Sequence, residues 1–189
     1  MPHDALRVLI YLDGSRNRTL HFSPRVDLPF EVMVDSSWES EFSSSGAYFL
    51  CMGCPFHWFS KIQRSVSLSS AEAEYFGAML AAKDVLWIRD LLVDMGFKLS
   101  GPTIMYCDAK SAVEMAFDVV SFKHTKHILR AAFFLRDHVM KEDVSLRHLS
   151  GVIMIADILT KGVARPLFLQ LLKLLDDYSS NPVASAQSS

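Results

Sequence analysis

Four acidic residues stand where apolar surroundings would leave a charge unpaired. Asp35 ends the run VMVD, Glu74 heads the apolar stripe of SSAEAEYFGAML, Asp108 ends TIMYCD and Asp157 interrupts IADILTK. Burying a carboxylate costs several kcal/mol unless a cation meets it, and no Lys or Arg shares the Glu74 stripe. A metal would meet it. Four carboxylates in one pocket suit hard divalent ions such as Mg²⁺, and two such ions about 4 Å apart form a site for phosphodiester chemistry. Any one of these acids alone reads equally well as a strand-end turn or a helix cap, where Asp is common. The four together point to a single site.

The elements that must position these acids follow from periodicity. Ala5 to Leu12 has helical spacing, stopped by Asp13-Gly14-Ser15. Phe30 to Asp35, Gly46 to Met52 and Phe56 to Ile62 read as three strands, the last two around a Gly/Pro turn, and together they predict an antiparallel meander. Ser69-Ser70 offers a cap for a long helix from Ala71 to Met95, closed by Gly96. Thr103 to Cys107 is a short strand, Ser111 to Phe117 a short helix, His124 to Lys141 a longer helix and Val144 to Leu149 a fifth strand. A last helix follows Pro166, and Ser179 to Ser189 is a polar tail. This order predicts an α/β fold with a five-stranded mixed sheet. Three antiparallel strands come first, then two crossover strands, with the fourth parallel to the first through the long helix.

In that helix Glu74 is in register with Ala78, Ala81, Val85, Ile88 and Leu92, so it faces the sheet. Glu72 lies off the stripe and serves the helix dipole from the first turn. Asp35 and Asp108 end strands that this topology makes neighbours, so their carboxylates converge near the start of the long helix. Lys123, His124, Lys126, His127 and Arg130 crowd the first turns of another helix, where the macrodipole disfavours positive charge. Phosphate contact explains that placement, and a solvated basic helix end explains it equally well. His124 and His127 lack further ligands at metal spacing.

Composition narrows the setting. The chain has 189 residues, 50% of them hydrophobic, enough for one domain with a full core. A formal net charge of −2 excludes a global positive field, so nucleic-acid binding must come from a local patch or a partner. No apolar run approaches a membrane span in length, and Met1-Pro2-His3-Asp4 does not open a secretory signal. With three cysteines, an odd number, the expected setting is intracellular, cytoplasmic or nuclear. Cys51 and Cys54 have no second pair with which to build a zinc site, and Met52-Gly53-Cys54-Pro55 reads as a hairpin turn.

The blocks SLSSAEAEYFGAMLAAKDVLWIRDLL, MYCDAKSAVEMA, TKHI and ADILTKG, in that order, resemble those of the ribonuclease H region of a copia-type retrotransposon Pol polyprotein. The likeness runs from about His3 to Leu175. PHDALRVLIYLDGS is similar to the segment leading out of the reverse transcriptase, and WFSKIQ to the third strand of the nuclease. The resemblance implies a ribonuclease H-like fold and a two-metal endonuclease cutting the RNA strand of RNA:DNA hybrids during reverse transcription. Asp35, Glu74, Asp108 and Asp157 would then be both the catalytic residues and the ligands of two Mg²⁺ ions, with Mn²⁺ as substitute. It also implies a reverse transcriptase domain as partner. The expected division is residues 1–28 as a remnant of the reverse-transcriptase connection, 29–176 as the nuclease domain and 177–189 as a disordered tail.

Two positions depart from the family pattern. Ala109 replaces the usual Asn after the third acid, and Gly151-Val152-Ile153-Met154 replaces a charged stretch before the fourth. Cellular ribonucleases H carry a product-releasing His in that loop, whereas His148 here falls in the predicted strand, so slow turnover is expected. A rival register would use Asp13-Gly14-Ser15 as the first acid, but Leu6, Leu9 and Leu12 follow helical spacing, and Asp35 would go unexplained. With no polymerase, protease or integrase block, the chain is expected to be a fragment, a domesticated copy or a decayed one. Two function classes remain: an active hybrid-specific nuclease, and a non-catalytic nucleic-acid-binding or assembly remnant.

Overall fold

The computed structural model describes residues 2–20, 22, 24, 29–38, 42–63, 67–117 and 126–180. The sheet is built from β1 (Phe30–Ser37), β2 (Ser44–Cys51), β3 (Cys54–Ile62), β4 (Thr103–Cys107) and β5 (Val144–His148), in the order β3-β2-β1-β4-β5. β1–β2 and β2–β3 pair antiparallel, while β1–β4 and β4–β5 pair parallel. The meander and the two crossover strands are as the sequence predicts. The helices are α1 (Pro2–Gly14), α2 (Ser70–Asp94), α3 (Lys110–Phe117), α4 (Lys126–Met140) and α5 (Arg165–Ser180).

Strand alternation separates two cores. Val32, Val34, Phe49, Met105 and Cys107 pack with Tyr75, Ala78, Ala81, Val85 and Ile88 of α2. On the other face Met33, Tyr48, Leu50 and Tyr106 pack with Met154, Ile155 and Ala156. Asp35 therefore follows Met33 onto the second face, while Ser36 points toward α2.

Close approach fixes how α2 crosses the sheet. A Cβ on Gly77 would meet Ser36 Oγ at 2.2 Å, so only glycine admits the helix at this depth. A Cβ on Gly46 would meet Leu159 Cβ at 2.7 Å and Thr160 Cγ2 at 2.9 Å, so β2 needs glycine where the 3-10 helix Ile155–Leu159 lies against it. Ser69 caps α2 by accepting from the Glu72 N–H, and Glu72 in turn accepts from the Leu68 N–H. The Cys51–Cys54 segment is a hairpin: the two cysteines pair across Met52 and Gly53, both with positive φ, the signature of a two-residue primed turn.

Each apolar residue of α1 from Leu6 to Leu12 is at least 47% exposed. Its neighbourhood touches the rest of the domain through an edge contact of Tyr11 with Phe168 and through Arg18, which bonds Leu172 O and Asp176. Asp13 lies at the end of this helix and pairs with Arg16, away from the sheet.

Candidate metal centre

The four acids arrive from four directions at one end of the sheet. Asp35 sits in β1 opposite Gly46 of β2, fully buried. Asp108 follows the last residue of β4, and Glu74 lies in the first turns of α2, 6% exposed. Asp157 lies in the first turn of the 3-10 helix, 5% exposed, where a regular helix start is what its sequence predicts. Asp35, Asp108 and Asp157 each offer a carboxylate oxygen, all within 4.8 Å of one another, and Glu74, Cys107 and Asp108 form a second group of the same span. Asp108 belongs to both. The structure thus brings all four predicted acids together and leaves Asp13 outside.

A buried polar network holds Glu74 in place. The Gln63 amide donates to Ser45 Oγ at 2.8 Å and to Ala73 O at 2.9 Å, and accepts from Ser67 Oγ at 3.0 Å. It therefore fastens the start of α2 to the strands. The Glu74 carboxylate accepts from the Ser36 backbone and lies 3.7 Å from Cys107 Sγ.

Asp157 is located by hydrogen bonds from the sheet. Ser44 Oγ donates to Thr160 O at 2.9 Å and Ser60 Oγ to Leu159 O at 2.6 Å, while the Thr160 hydroxyl donates to Asp35 Oδ2. Lys161 then places its ammonium 3.1 Å from Asp157 Oδ1 and 3.6 Å from Asp35 Oδ1.

Burial and mutual repulsion oppose the ionised forms of Glu74, Asp108 and Asp157. Burial first, then the charges of Asp35 and Asp108, push Glu74 up to about 9. Burial and Asp35 also raise Asp157 and Asp108, with Lys161 opposing both and His148 helping to oppose the second. Burial, and next Glu74, drives the Cys107 thiol upward. Lys161 is held above its ordinary value, since Asp35 and Asp157 outweigh its partial burial.

Two oxygens, Asp35 Oδ1 and Asp157 Oδ1, are buried without a hydrogen bond of good geometry. Both oxygens face the Lys161 ammonium, and carboxylates grouped within 4.8 Å around a cation fit a hard divalent ion as well, whose charge would stabilise the ionised forms that burial opposes.

No protein-family model matches the chain. Over 166 residues, 86% of this chain, it is 31% identical to the retrovirus-related Pol polyprotein from transposon RE1 of Arabidopsis thaliana. Over 177 residues, 92% of the chain, it is 34% identical to that from transposon TNT 1-94 of Nicotiana tabacum. Its homologues are retrovirus-related Pol polyproteins of copia-type transposons. The chain spans only 11% and 13% of the length of the two polyproteins compared. In structure it is similar to LC11-RNase H1, isolated from compost by a metagenomic approach, with TM-score 0.53 and 19% identity over 70% of this chain and 92% of that one. The same enzyme in complex with RNA/DNA hybrid matches with TM-score 0.50 and 16% identity, over 69% and 93% of the two chains. The fold is that of ribonuclease H.

On this ribonuclease H fold the predicted basic patch has a partial location. Lys126, His127 and Arg130 lie in the first turns of α4, but their side chains, like Lys123 and His124 altogether, fall outside the described residues. His148 ends β5 in register with Cys107, beside Asp108. Sequence reasoning missed Gln63, Thr160 and Lys161 as parts of the site, although WFSKIQ and ADILTKG contain them. Their signal was polar character inside blocks otherwise read for strands and acids.

Proposed function

We propose that this domain is a two-metal-ion endonuclease that hydrolyses the RNA strand of RNA:DNA hybrids, acting beside a reverse transcriptase within a retrotransposon polyprotein. The observation that carries the reading is the convergence of Asp35, Glu74, Asp108 and Asp157 in two overlapping groups of ligand atoms, each within 4.8 Å. The homologous Pol polyproteins and the hybrid complex of LC11-RNase H1 support the substrate class.

Asp35, Asp108 and Asp157 would hold one Mg²⁺ or Mn²⁺, and Glu74 with the shared Asp108 would hold its neighbour. When bound, such ions supply an activated water and stabilise the leaving 3′-oxygen, which leaves a 5′-phosphate on the product. The rest is the work of the chain's own residues. Thr160 fixes the rotamer of Asp35, and the Ser36 backbone with the Gln63 network fixes Glu74, so the carboxylates are preorganised. Lys123, His124, Lys126, His127 and Arg130 would meet hybrid phosphates, supplying locally the positive charge that the whole chain lacks. Contacts to 2′-hydroxyls across the wide minor groove would select the RNA strand.

The test is cleavage of end-labelled RNA, annealed to DNA, by the purified chain with Mg²⁺ or Mn²⁺. Internal cuts bearing 5′-phosphates, abolished by chelator and absent on DNA duplex, are expected. Binding of hybrid with no cleavage in either metal would instead establish the non-catalytic remnant.

A further inference from the structure

Lys161 occupies an unusual seat. Its ammonium faces Asp157 Oδ1 at 3.1 Å and Asp35 Oδ1 at 3.6 Å, two buried oxygens of the carboxylate group able to hold a cation. The lysine is not there by chance of a floppy surface chain. Its backbone N–H bonds Asp157 O at 3.2 Å, and the preceding Thr160 is tied to both Asp35 and β2, so the Cα is fixed beside the acids. The side chain as a whole is 40% exposed, so solvent borders the seat.

We infer that Lys161 is a tethered counter-cation that neutralises Asp35 and Asp157 while no metal is bound and competes with the divalent ion for their oxygens. A dication bound by Asp35, Asp108 and Asp157 would stand only a few Å from the ammonium, and like charges at that range in a partly dry pocket repel strongly. The ammonium must therefore leave as the ion enters. A long flexible stem, 40% exposed, makes that exit possible without moving the backbone. Binding is reciprocal: the factor by which the ion expels the lysine is the factor by which the lysine weakens the ion. The device keeps buried acids from repelling one another in the ion-free domain, and the cost is a lower apparent metal affinity. Among the described residues no ammonium or guanidinium ion-pairs with Glu74 of the second group, so the competition acts most directly on the Asp35 side.

This inference rests on the two-metal reading, and calorimetric titration of the whole chain with Mg²⁺, in the absence of nucleic acid, separates the two. Lys161→Gln should bind Mg²⁺ about tenfold more tightly than the wild type and melt at a lower temperature in chelator. Lys161→Arg, which keeps the charge, should stay near the wild type. Lys98→Gln, at the opposite end of the sheet, controls for losing one positive charge. Unchanged or weaker Mg²⁺ binding by Lys161→Gln, with wild-type binding intact, overturns the competition alone. A wild type that binds no divalent ion overturns the metal reading with it. Should Lys161→Gln fail to fold, the wild type still decides: the Lys161 Cε–Nζ resonance should shift on adding Mg²⁺ while that of Lys98 stays, and a stationary Lys161 signal refutes the exchange.

Discussion

The Thr160 hydroxyl donates a hydrogen bond to the Asp35 carboxylate, joining the turn after the 3-10 helix to β1 across 125 residues of chain. Both groups are buried, so the bond locates one acid relative to another. Thr160→Val keeps the shape and removes the donor, leaving a carboxylate oxygen unsatisfied. The expected loss is about 1–3 kcal/mol in urea unfolding, with weaker Mg²⁺ binding. An unchanged midpoint would show that the bond contributes nothing to placing Asp35.

Asp108 is shared by the two acidic groups. Asp108→Asn should therefore abolish metal-dependent cleavage while the circular dichroism spectrum persists. In chelator the variant should melt at or above the wild-type temperature, because one repelling carboxylate is gone, and Mg²⁺ should stabilise it less. If Asp108 served only as a strand-end turn residue, Asn would replace it without effect.

The raised position of Glu74 gives the ion-free domain a defined pH dependence. Its carboxyl is pushed from 4.5 to about 9, so between these values the folded state binds a proton that the unfolded state has lost. Stability contributed by that proton is complete below the unfolded value and declines as pH rises toward the folded one. Melting temperature in chelator should accordingly fall from pH 5 to pH 9. With saturating Mg²⁺ the slope should flatten or reverse, since the ion favours the carboxylate and expels the proton. Identical slopes with and without Mg²⁺ would remove Glu74 from the metal centre.

Gly77→Ala should destabilise the domain by about 1–3 kcal/mol, because the added Cβ collides with Ser36 Oγ and the overpacking is relieved by turning that hydroxyl away from Ser45 or by lifting α2. Where α2 lifts, Glu74 is displaced with it and Mg²⁺ affinity should fall in parallel. Chemical unfolding and metal titration on the same sample check both effects.

Deleting residues 1–28 should leave a folded domain that still binds Mg²⁺. The apolar side chains of α1 are largely exposed, and its segment is joined to α5 through Tyr11 and Arg18. A cooperative melt shifted by a few degrees is expected, whereas complete unfolding would place the segment inside the domain.

The sequence by itself determined the elements and their order. Strand alternation, the Ser69 cap, the apolar stripe of α2 and the acids ending two strands are local patterns, and local patterns are what periodicity reports. Glu74 was separable from Glu72 for the same reason, since a helix face is a property of spacing. A hairpin turn at Met52-Gly53-Cys54-Pro55 was likewise legible, but the structure tightens it to Met52 and Gly53, with Cys54 and Pro55 already in β3. Only the tertiary structure decided how deep each acid lies and what meets it. Asp157 lies in a 3-10 turn whose end is held to the sheet by Ser60 on Leu159 O and Ser44 on Thr160 O, and Gln63 orders the start of α2 from the far strand. Thr160 and Lys161 became parts of the site only when folding set them against Asp35. The contacts of Ser44 and Asp35 with Thr160 join residues 116 and 125 positions apart. Charge, burial and hydrogen bonding at a site depend on distance in space, which separation along the chain does not encode.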